Sequence, residues 1–185
     1  MRLAGCMSFT EREFWTIIHG MGLGTLFLLA FSGGFAGLYS LRPEFLTVSG
    51  LRERVPRLKW GTSVMAVAAW LTVITGTYVI YPWYRAAAPA GALGDVLKGF
   101  PKSFLLASEK TAAWHIFGME WKEHVAWIAP MLATSVAIIV LYYGVQLARE
   151  PKIRGALIAL FTLAFAIAAV AGIFGAFINK MAPTL

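Results

Sequence analysis

The sequence predicts an all-α protein: a bundle of four antiparallel transmembrane helices with a long loop or interfacial helix before the third span. Three observations carry this prediction. Of 185 residues, 59 % are hydrophobic and only 14 % are charged, where a soluble domain carries about a quarter of its residues as charges. Mean hydropathy is +0.70. The remaining charges fall in short clusters and leave four long uncharged runs between them. So much apolar content excludes a disordered chain and disfavours most soluble folds.

The first run, residues 14–39, holds no Asp, Glu, Lys or Arg. At about 1.5 Å per residue it is long enough to cross a hydrocarbon layer roughly 30 Å thick. Its glycines and small hydroxyls are tolerated in lipid because neighbouring helices pack against them. The second run, residues 60–83, has a tryptophan at each end, Trp60 and Trp83, and Pro82 marks its exit. The third, residues 125–147, contains Pro130 and ends in Tyr142 and Tyr143, and the fourth, residues 155–178, is almost entirely Ala, Leu, Ile, Phe and Gly. The chain reads as a single integral membrane domain, 1–185.

About forty residues separate the second run from the third. Their first part reads as irregular because Pro89, Pro101 and several glycines interrupt it. Residues 103–124 read as a helix lying on the outer membrane surface or entering obliquely, with Ser108 as its cap and Glu109 favouring its amino end. Trp114, Trp121 and Trp127 suit such an interface. With Trp15, Tyr81, Trp83 and Tyr84 they form an aromatic collar, and an ordinary membrane belt accounts for most of them.

Sixteen basic and nine acidic residues give a net charge of +7. The bases lie between apolar runs and not along one amphipathic face, so nucleic-acid binding is not expected. Arg42, Arg52, Arg54, Arg57 and Lys59 fall between the first and second runs, and Arg149, Lys152 and Arg154 between the third and fourth. Because these sets are compact, the positive-inside rule puts both in the cytoplasm and both termini outside. The lone cysteine, Cys6, supports neither an internal disulfide nor a c-type haem attachment. It faintly resembles a lipidated cysteine, but no apolar leader precedes it, and no secretory peptide is expected.

Only three histidines are present, His19, His115 and His124, and all map to the same end of the bundle. His19 lies inside the first span and His124 opens the third, so the two enter from one side and can meet at comparable depth. Two imidazoles are a sufficient axial ligand set for a low-spin, non-covalent b-type haem. Gly20, Gly22 and Gly24 follow His19 directly and offer either a surface that a macrocycle can approach or a close helix contact. On a straight helix, nine residues place His115 and His124 about 180° apart. His115 is therefore read as a propionate partner, a surface group or a partner contact. Arg12, Glu13, Lys122 and Glu123 near the same surface suit haem propionates, a docking face or lipid headgroups. A bare metal site from His115, Glu120 and His124 is the competing use of these side chains, although the spacing matches no strong motif.

On His19 with its glycines and on His124, the chain resembles the four-helix membrane b-type cytochromes and the haem-bearing membrane anchors of respiratory oxidoreductases. The resemblance covers the span count and these residues. It implies an electron-transfer subunit holding one haem b on His19 and His124, in a larger respiratory or redox complex, and exchanging electrons with a quinone or a redox protein. Three histidines allow one bis-histidine pair, where two-haem members need two. The phrases TYVIYPWYR and WHIFGMEWKEHVAW are similar to stretches of bacterial membrane proteins, which implies the bacterial inner (cell) membrane. Dinucleotide, phosphate-loop, hydrolase and iron–sulfur signatures do not occur. The alternative is a cofactor-free scaffold or assembly subunit. A transporter is less supported, since neither broken inverted repeats nor a buried acidic relay is visible.

Overall fold

The computed structural model describes residues 9–45 and 47–182; Cys6 lies outside them. Four long apolar helices, Glu11–Ser40, Ser49–Tyr84, Glu109–Ala148 and Pro151–Met181, form the bundle. They are referred to below as the first to fourth spans. The protein is an integral, multi-pass membrane protein with an all-α, four-helix architecture. Each apolar run of the sequence sits inside a longer helix. The 40 residues of the third span measure roughly 60 Å at the α-helical rise, twice the hydrocarbon thickness, so its ends project beyond the lipid core.

Local chemistry explains the longer ends. The first span starts at Glu11 because Thr10 and Glu13 form a reciprocal capping box: the Glu13 amide donates to the Thr10 hydroxyl at 3.2 Å, and the Thr10 amide donates to the Glu13 carboxylate at 2.8 Å. This pairing satisfies two otherwise free amides. At the second span, the Thr47 hydroxyl accepts from the Gly50 amide at 3.1 Å. Arg52, Arg54, Arg57 and Lys59, expected in a connection, are therefore helical. Pro56 leaves the carbonyl of Arg52 without its helical donor, at an exposed position where water or headgroups reach it.

The expected surface helix is divided. A short helix, Pro101–Leu106, stands apart, and from Glu109 onward the segment is continuous with the third span. Ser108 occupies the cap position but its hydroxyl makes no capping bond; the Thr111 hydroxyl instead donates to the carbonyl of Leu105 at 2.7 Å. The regular α-winding of the third span stops at Tyr143, and Gly144, whose φ of +51° is a left-handed conformation that a side chain would strain, opens the tighter last turn Gly144–Ala148.

The core fills the half of the bundle at the end with the two short connections; the opposite half is the outer half. Phe31 stacks on Phe165 at 4.1 Å, and fully buried Phe161 fills the space over Gly34. A Cβ on Gly34 would lie 2.7 Å from the Phe161 ring, and one on Gly61 3.2 Å from the Gly34 backbone. The first two spans thus touch backbone to backbone, the close approach that small residues permit in lipid. Trp70 donates to the Thr134 hydroxyl at 2.9 Å and ties the second span to the third.

Arg154 closes this end. It is buried and donates to the carbonyls of Leu41, Leu147 and Ala148 at 3.0, 3.1 and 3.3 Å. Arg54 donates to the carbonyls of Ser40 and Phe45 at 3.0 and 2.9 Å. Both guanidiniums thus bind carbonyls at or just beyond the ends of the first and third spans, where the helical ladder runs out. At the outer end, which carries the termini and the long connection, a smaller cluster gathers Tyr84, Leu105, Met119, Ile178 and Ala182.

Replacing Arg154 by Met is expected to cost about 2 to 3 kcal/mol, since buried carbonyls lose a charged donor; replacing exposed Lys152 by Met is expected to change little. Thermal unfolding of both variants in detergent measures the difference. In a Cys6→Ser background, single cysteines replacing Lys98 or Lys102 should react with an impermeant thiol reagent on intact cells. Cysteines replacing Arg52 or Lys152 should be protected, and the reverse pattern inverts the orientation.

Candidate functional site in the outer half of the bundle

Between the core and the outer cluster lies a cavity of about 760 Å³. Every span presents small residues to it: Gly20 and Gly24 from the first, Ala69 and Gly76 from the second, Ala126 and Ala129 from the third, and Ala168, Ala171, Gly172, Gly175 and Ala176 from the fourth. Small faces normally let helices close on each other. Here bulky side chains hold the spans apart on both sides: Phe31, Phe161 and Phe165 below, and Trp114 stacked on Phe177 at 5.0 Å above. The space is the consequence.

Four helical stretches with the wide i→i+5 hydrogen-bond pattern occur among the described residues: Ile18–Gly22, Gly76–Ile80, Trp114–Met119 and Trp121–Val125. All are in the outer half, and each histidine lies in one of them. Such π-helical turns are rare and concentrate at functional sites. They also remove the premise that put His115 and His124 on opposite faces, because a phase of 100° per residue does not hold across two wide turns.

His19 and His124 both line the cavity. The His19 Nδ1 lies 3.0 Å from the Thr75 hydroxyl oxygen, and that hydroxyl donates to the carbonyl of Leu71 at 2.7 Å. With its proton engaged there, the Thr75 oxygen accepts from His19, which places the imidazole proton on Nδ1 and leaves Nε2 with a free lone pair. Gly76 makes room for this ring, since a Cβ there would lie 2.9 Å from its Cε1. His124 reaches the same protonation differently: its Nδ1 donates to the backbone carbonyl of Glu120 at 3.1 Å, with the Glu120 carboxylate at 3.4 Å. Its side chain is 70 % exposed. An imidazole whose Nδ1–H is held by an oxygen presents Nε2 as a ligand in a fixed orientation.

The other sequence-derived candidates separate. Gly20 and Gly24 face the cavity with open space where a Cβ would stand, and Gly22 is not part of the wall. His115 is also outside the wall; its Nδ1 is 2.9 Å from the Tyr84 hydroxyl. Among the described residues no group of three or more His, Cys, Asp or Glu could hold a metal ion, so His115, Glu120 and His124 do not form a bare metal centre. The three tryptophans of the collar have different partners. Trp114 and Trp121 pack on Phe177 and Phe174 of the fourth span, and Trp127 meets Trp70 of the second edge-on.

Thr75, Gly76, Gly172 and Gly175 belong to this site and carry no motif. The signals that point to them are a hydroxyl directly before a glycine at the depth of His19, and two glycines three residues apart on the fourth span. The charged side chains on the wall are Arg12, Lys98, Lys122 and Glu123. One Glu123 carboxylate oxygen, Oε1, is buried without a hydrogen-bond partner.

Nitrogen-15 NMR of histidine-labelled protein should show His19 and His124 as the Nδ1–H tautomer at a pH where both are neutral. Thr75→Val removes the acceptor of His19, so a mixed tautomer is expected at His19 and no change at His124.

No family model, no curated protein and no solved structure matches this chain, and its place is that of a four-helix membrane-spanning bundle.

Proposed function

We propose that the protein is a membrane electron-transfer subunit with one b-type haem in the outer cavity, held by the Nε2 atoms of His19 and His124. The supporting observation is their common proton placement: both imidazoles line one cavity with Nδ1–H committed to an oxygen and Nε2 unengaged. Two nitrogen donors make a complete protein ligand set for a low-spin haem. The wall matches a flat, largely apolar macrocycle, because glycine and alanine on all four spans keep side chains out of the space.

The space suits an occupant: it is a partly open cleft of about 760 Å³, on the scale of a cofactor-sized ligand. Lipid chains and water fill such a space without needing oriented imidazoles. The paired nitrogens select a ligand that has two open coordination positions.

When bound, the haem supplies one-electron chemistry. The chain's own contribution is placement. Thr75 and the Glu120 carbonyl orient the two rings, and Gly76 seats the first of them. Electrons enter and leave through a quinone or a redox-protein partner in a larger membrane complex, since the chain carries no nucleotide or iron–sulfur motif of its own.

Protein purified from membranes with adequate haem supply should contain non-covalent haem with a low-spin spectrum. His19→Ala and His124→Ala should each abolish that spectrum or convert it to high spin while the bundle still inserts. His115→Ala should leave the spin state unchanged. Absence of haem from the wild-type protein, or an unchanged low-spin spectrum in both ligand variants, refutes the assignment.

A further inference from the structure

Lys122 is unusual among the charged residues of the outer cavity. It sits on the third span in the wide turn Trp121–Val125, and its side chain crosses to the fourth span, where a Cβ built on Gly175 would lie only 2.6 Å from Nζ and 3.8 Å from Cε. Gly175 is therefore the notch that admits the ammonium group. Among the described residues Lys122 forms no ion pair, although Glu123 stands on the same wall.

The remaining charges deepen the imbalance. Lys98 is committed to Asp95 at 2.6 Å, and its hydrogen bond holds that carboxyl below its ordinary range. Arg12 forms no ion pair among the described residues. Glu123 is the one acid on the wall. Setting it against either base still leaves one positive charge unanswered. An unpaired cation facing a largely apolar cavity at membrane depth is costly unless an anion meets it.

We infer that the outer cavity contains a carboxylate-binding subsite formed by the Lys122 ammonium seated on Gly175, with Arg12 as a second cation. This deepens the haem reading and rests on it for the identity of the ligand: the carboxylates are those on the porphyrin edge. Lys122 is a positioning residue that sets how the macrocycle is turned within the cavity. The glycine notch also supplies a mild perturbation. In Gly175→Ala the displaced atom is the far end of a flexible side chain, so the bundle folds while the ammonium loses its seat.

The test uses purified full-length protein depleted of haem in detergent and four probes: haemin, haemin dimethyl ester, protoporphyrin IX and protoporphyrin IX dimethyl ester. The wild-type protein is expected to bind each diacid about tenfold or more tightly than its diester, the scale of one charge-assisted hydrogen bond. Lys122→Gln and Gly175→Ala should shrink that ratio to about threefold or less, and Lys122→Arg should retain part of it. Equal binding of acid and ester by the wild-type protein, or a preference unchanged in Lys122→Gln, overturns the subsite. The iron-free pair separates the two assignments. A diacid preference for protoporphyrin IX, without low-spin haemin, sustains the subsite and removes the axial ligation. Low-spin haemin binding with no ester discrimination does the opposite. If none of the four probes binds, both assignments fall.

Discussion

The bundle depends on one guanidinium. In lipid, helices gain little from burying apolar surface against each other, because the surrounding chains are equally apolar. Association must come from close packing and from polar groups that find partners only when the helices meet. Arg154 is such a group: it joins the carbonyl of Leu41 at the end of the first span to those of Leu147 and Ala148 at the end of the third, from its own place on the fourth. Three of the four spans are thereby fixed at one level, and the glycine contact between the first and second spans sets the remaining spacing at that end. With one end clamped, the other is free to hold a space open.

That space follows from a contrast in side-chain size along each helix. Phenylalanines fill the half with the short connections, glycine and alanine from all four spans recur in the next layer, and tryptophan and tyrosine resume beyond it. A helix pair cannot close over a small-residue layer when larger layers on both sides keep the axes apart. The histidines sit in this layer, and their wide helical turns bring cavity-facing positions into a register that regular helices would not give.

The four spans and their order were legible because uncharged runs of this length have one common use in water-excluding surroundings. The helix ends were less so. Thr10 and Glu13 spell a capping box three residues apart, yet their polarity reads equally as the headgroup boundary, so the start of the first span looks later than it is. Arg154 reads as one of several topological charges, since sequence does not distinguish a guanidinium in headgroups from one folded back onto carbonyls. His19 and His124 were visible as a pair through span polarity alone. Their protonation was not, because it is set by Thr75 across the bundle in one case and by the local Glu120 carbonyl in the other. Gly76 and Gly175 escaped notice for the same reason: what makes each necessary is an atom from another helix, His19 Cε1 and Lys122 Nζ.

The wide turns also determine how the chain tolerates a change in length. A π-helical turn is an α-helix that accommodates one additional residue, so deleting a residue from the Trp121–Val125 stretch gives the backbone an easy return to regular winding. A deletion within the regular winding of Ile128–Tyr143 has no such outlet: everything on the amino-terminal side would rotate by about 100° against the rest of the third span. Apolar length and insertion would survive such an event, while the facing of the outer segment would not. Reading frames of helix phase, more than residue identities, are what the outer half of this protein has to conserve.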